Sequence, residues 1–159
     1  MSCETSSEQS RLILGEARRA VRLTEGYDVP DPQIQEDRYR SVKLHVTRDP
    51  LPRAWLELWW EERKLLTGSG AWPQLAIVMD QRNPRHVRDA VKNATGSARD
   101  AHGMTSTGFP WLRSGAIPPQ SEPIVIEEYA EYCVQRLRDA WLDLHATIRE
   151  AVEKATALS

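Results

Sequence analysis

The 159-residue sequence predicts an α+β domain that is predominantly α-helical, with about four helices, two short strands and a long C-terminal helix. Three observations carry this. Apolar residues recur at steps of three and four from Ile126 to Ala155, the mark of a sustained amphipathic helix. Asp49-Pro50 and Asn83-Pro84 each set a capping side chain before a proline, a helix start signal. Leu75-Ala-Ile-Val-Met79 is a short continuous apolar run of the kind that forms a buried strand.

Residues 1–7 read as a flexible tail. From about Ser7 a helix is expected, with Ile13, Leu14, Ala17, Ala20 and Val21 on one side and Gly26 as its left-handed cap. Pro30 and Pro32 make Tyr27–Gln35 a loop. In Arg40–Thr47, Val42, Leu44 and Val46 alternate with polar residues, the pattern of a half-buried strand. Tyr39, Val42 and Val46 also fall at helical spacing, so an all-α bundle is the alternative fold.

The second helix is expected from Pro50 to about Leu66, with Leu51, Trp55, Leu58, Trp59, Leu65 and Leu66 along its stripe. After the strand Leu75–Met79, Pro84 opens a third helix that buries Val87, Ala90, Val91 and Ala94 and stops at Gly96. Strand, helix, strand and helix over residues 40–96 fit a βαβ crossover. Residues 97–120, rich in glycine and proline, read as a long irregular loop. The final helix is expected from Pro123 to Leu158, with Glu127 and Glu128 at the positive end of its dipole. A strand at Ile124–Ile126 would change the sheet count.

One domain is expected, since a chain of this length buries a sufficient core unaided. Acidic and basic residues number 23 and 21, so no global field favours nucleic acid. Cys3 and Cys133 are too few for a disulfide framework, and residues 1–10 lack the features of a secretory signal. A soluble cytoplasmic protein without a membrane span is the expectation. The four histidines show no zinc-ligand spacing, so neither metal nor cofactor is expected.

Four groups of residues are candidates for function. Asp80 would stand at the carboxyl end of a buried strand, where open α/β sheets hold anions, although Asp80-Gln-Arg-Asn83 has no glycine to cradle phosphate. Arg82, Arg85, Arg88 and Lys92 form the most basic segment, a candidate phosphate contact; Asp89 interrupts it and no aromatic residue interleaves with it. Trp60 projects off the expected stripe of the second helix beside Leu56, and Phe109 and Trp111 form an apolar island in the 97–120 loop; all four are candidate protein-binding residues. Arg138 and His145, with Asp139 between them, resemble the loose arginine–histidine motif of HEPN-type ribonucleases. That resemblance covers eight residues and implies metal-independent RNA cleavage in a groove at a dimer interface.

Together these features favour a non-enzymatic interaction domain acting through helical apolar surfaces, with another protein or a second copy as partner. The alternatives are a small enzyme, using Asp80 or Arg138 and His145, and a nucleic-acid-binding module. Dimerisation follows from length: about 36 helical residues reach roughly 54 Å, beyond the diameter of a domain with a radius of gyration near ~15 Å. The turns from Leu144 to Leu158 would then overhang the core.

Overall fold

The computed structural model describes residues 8, 9, 11–13, 15, 39–47, 53–61, 65, 72–108 and 111–158. Its strands are β1 (Tyr39–His45), β2 (Ala54–Glu61), β3 (Gln74–Met79), β4 (Ser106–Gly108) and β5 (Trp111–Ala116). Between β3 and β4 lie α1 (Arg85–Ala94) and the single turn α2 (Ala98–Ala101); α3 (Ile126–Ala157) follows β5. Helical backbone also occurs at Glu8, Gln9, 11–13 and Gly15, with Ile13 buried in the core. The expected tail, the Gly26 cap, the 27–35 loop and the Asp49-Pro50 start lie outside the described residues.

The five strands form one sheet in the order β1-β2-β3-β5-β4, and every pairing is antiparallel. This overturns the predominantly helical fold, its all-α alternative and the parallel βαβ unit. The decisive element is β2, where the second helix was expected. Ala54, Leu56, Leu58 and Trp60 face one way, all 1% exposed or less, while Trp55, Glu57 and Trp59 face the other. Leucine and tryptophan here satisfy spacings of both two and four, so helical periodicity was only an apparent match. Pairing with β1 on one side and β3 on the other resolves the ambiguity, because both neighbours supply backbone partners to an aromatic-rich segment.

The region expected to be one irregular loop, 97–120, contains α2 and the antiparallel pair β4–β5. It closes tightly on itself. A Cβ on Gly115 would stand 1.9 Å from the Gly103 carbonyl oxygen, and Gly103 itself has φ +67°. Only residues without a side chain permit that approach. Arg136 from α3 donates to the His102 carbonyl oxygen at 2.9 Å, and the His102 ring meets Asp143 at 2.6 Å, which ties this segment to the helix.

The long helix lies against one face of the sheet and against α1. Its N-cap is Val125, and Ile124 and Val125 remain exposed without joining a strand. The stripe Ile126, Ala130, Cys133, Leu137, Trp141, Leu144, Ile148, Val152 and Ala155 is buried throughout. The expected overhang is therefore absent within α3: Ile148 is 0% and Val152 3% exposed. The helix is covered along its length because it packs on both the sheet and α1. Its last turns are also held by polar contacts, from Arg53 to Thr156 Oγ1, Arg149 to the Val46 carbonyl oxygen and the His86 ring to the Ala155 carbonyl oxygen. Among the described residues, no helix is long and apolar enough to cross a membrane.

Candidate functional site

The sheet face turned away from α3 carries the chemistry. Strand alternation sends Ser41 and Lys43 of β1, Trp55, Glu57 and Trp59 of β2, Val78 of β3 and Trp111 of β5 to this side. They line a groove of about 750 Å³ that ends at Asp80, Gln81 and Arg82. Trp59 and Trp111 stack with ring centroids 4.8 Å apart and planes within 4°. They come from strands on either side of β3, where Ala76 is small enough to leave room for both rings and is fully buried.

A charged pair forms the floor. Lys43 Nζ lies 3.7 Å from Glu57 Oε1, with the two side chains only 15% and 11% exposed. The same ammonium sits 5.1 Å from the centre of the Trp55 ring, whose other neighbour is the His45 ring at 5.8 Å. Burial pushes the Glu57 carboxyl above its ordinary range; the Lys43 charge opposes this, helped by the Trp111 and, most weakly, the Trp55 indoles. Ser41 Oγ, in a residue 5% exposed, has no hydrogen-bond partner among the described residues. Its hydrogen-bonding capacity is unused in a groove large enough to admit a ligand.

At the rim, Asp80 accepts from Arg82 three times, through Nε at 2.9 Å, Nη2 at 2.8 Å and the backbone N–H at 2.9 Å. These bonds hold its carboxyl down at about 2. Asn83 locks the same turn by donating to the carbonyl oxygens of Arg53 and Asp80. Asp80 thus stands beside the groove, but β3 ends there in an antiparallel sheet, not at a parallel switch point.

A second, smaller cleft of about 480 Å³ lies beyond the turn. Its walls are Asn83, Arg85, Arg88, Asp89 and Lys92 on one side and Thr107, Gly108, Trp111 and Leu112 on the other. Trp111 borders both hollows. The structure therefore places a tryptophan beside the basic helix, from a strand some twenty residues later. Arg82 leaves the basic group, being committed to Asp80, and Arg85 makes a solvent-exposed 3.8 Å contact with Asp89.

The other candidates lie elsewhere. Trp60 and Leu56 are 1% and 0% exposed on the helix-facing side, so they are core residues and not an exposed pair. Phe109 is outside the described residues. Arg138 and His145 sit on α3; the His145 ring stacks on Trp141 at 4.8 Å and its Nδ1 is bonded to the Trp141 carbonyl oxygen at 2.6 Å. Among the described residues, no three His, Cys, Asp or Glu side chains gather to hold a metal.

Trp55, Trp59, Glu57 and Lys43 were missed as site residues. The signal for the three β2 residues was the period of two in Ala54–Glu61, in which an all-apolar set alternates with tryptophan and glutamate, and for Lys43 it was the alternation along β1. No family model, no curated protein and no solved structure matches this chain, so the meaning of the groove rests on its own residues.

Proposed function

We propose that this protein is a non-enzymatic binding domain whose working surface is the outer face of its sheet, and not the apolar stripe of its long helix. One observation supports the reading: Trp55, Trp59 and Trp111 converge from two strands on a groove of ligand size. A volume of about 750 Å³ lies within the range of about 300–1,000 Å³ common for ligand sites. Flat indole faces favour a planar ligand, which gains stacking without needing a particular pattern of donors.

The charges can also orient a ligand. Lys43 lies beside Glu57 on the floor of the groove, and Arg82 holds Asp80 ionised at its rim.

The test uses anilinonaphthalene sulfonate, whose naphthalene unit is flat, on the natively folded protein. Saturable binding is expected, weakened roughly tenfold by Trp59→Ala and again by Trp111→Ala. Near-ultraviolet circular dichroism checks that each variant keeps its packing. Equal dye binding by the wild type and the double variant would remove the groove as the binding surface.

A further inference from the structure

We propose that the ligand is a single-stranded nucleic acid, with bases in the tryptophan groove and phosphates along Arg85, Arg88 and Lys92 of α1. This rests on the binding-domain reading above and names its occupant. Two hollows share one wall: Trp111 borders both the aromatic groove and the cleft beneath the basic helix. The smaller cleft is lined by Arg85, Arg88, Asp89 and Lys92, and the exposed Arg85 and Lys92 give it a basic rim that suits an anion. The larger one offers stacking faces, with no unpaired charge among its lining carboxylates. A ligand that suits both has flat aromatic units joined to repeated negative charges. Single strands bind proteins in this way, by bases on aromatic rings and a backbone in a basic track.

The spacing favours a strand over one free phosphate. Arg85, Arg88 and Lys92 are three and four residues apart, hence on one face of α1, and span about 10 Å along its axis. A site for one phosphate would converge its cations; these are laid out in a row. The groove reaches across β1, β2, β3 and β5, roughly 14 Å at about 4.8 Å per strand, enough for more than one base. Ser41 Oγ, which lines that groove, has no hydrogen-bond partner among the described residues and can meet a base edge. A duplex keeps its bases stacked inside and could not use the tryptophans.

The experiment measures fluorescence anisotropy of labelled oligouridylate and oligothymidylate of about twelve nucleotides. At low salt both are expected to bind, with a log–log salt slope near about −2 for three phosphate contacts. The Arg85→Glu, Lys92→Glu double variant should lose most of that slope while its urea unfolding midpoint stays near that of the wild type. Trp111→Ala should weaken the oligonucleotide roughly tenfold. Dye binding with no oligonucleotide binding at low salt would overturn this inference while leaving the groove as a binding site. Equal competition by uridine monophosphate, or tighter binding of a duplex that ignores Trp111→Ala, would also overturn it. The charge-reversal variant changes only exposed or half-exposed positions, so the test stands even if Trp111→Ala fails to fold.

Discussion

Trp59 and Trp60 are adjacent in the chain and lie on opposite faces of the sheet. Trp60 is 1% exposed between the sheet and the helical layer; Trp59 is half-buried in the outer groove and stacked on Trp111. The same division runs along all of β2. Its inward positions are uniformly apolar, whereas its outward ones pair two tryptophans with two glutamates. The inner face serves stability because it excludes water completely. The outer face combines aromatic area with a desolvated ion pair, a mixture that a purely structural face does not need, since a buried pair adds little net stability.

Removing each ring gives the sharpest contrast. Trp60→Ala is expected to cost about 3–5 kcal/mol, the usual result of hollowing a closed core. Trp59→Ala should cost about 1–2 kcal/mol, mostly the lost stacking on Trp111, while dye binding falls. Urea unfolding of the two variants checks both values. Similar losses at both positions would mean that the outer face is as closed as the inner one.

A smaller effect separates the faces by pH. Burial raises the Glu57 carboxyl above its ordinary value of 4.5, so between 4.5 and that raised value the folded protein holds a proton that the unfolded chain has released. Glu57 therefore favours folding below 4.5, and this contribution is lost as pH rises through the folded value. Glu57→Gln should flatten that fall between acid and neutral pH. An unchanged slope in urea titrations would show that Lys43 fully offsets the burial.

The smallest effect is expected at the rim. Asp80, held at about 2, gives stability that is present above its ordinary 3.8 and is lost as pH falls through about 2. Its partner Arg82 is 67% exposed, so solvent and salt screen the pair. Asp80→Asn should leave the thermal midpoint near wild type at neutral pH. A large drop in a melting experiment would instead make the 80–83 turn a structural anchor.

Part of the element order was legible from local pattern, although the β1 segment also fitted helical spacing. The β1 alternation, the β3 apolar run and the α1 start after Asn83-Pro84 fall close to where their periodicity put them. The α3 stripe did so most clearly, since about nine turns of consistent spacing leave no competing period. β2 was misread because eight residues rich in leucine and tryptophan fit both periods, and its neighbours in space decide between them. β5 was hidden because Gly115, needed for close approach to Gly103, looks like a loop signal in one dimension.

What the sequence alone determined, then, is where the long helix and the clear strands lie, because helix spacing and strand alternation are properties of consecutive residues. The tertiary structure alone decided that the sheet is antiparallel, that Trp60 is core and Trp59 is not, and that Trp111 stands beside both Trp59 and Arg85's cleft. Those facts depend on strand order and register, which bring together residues more than fifty positions apart and which no local pattern encodes.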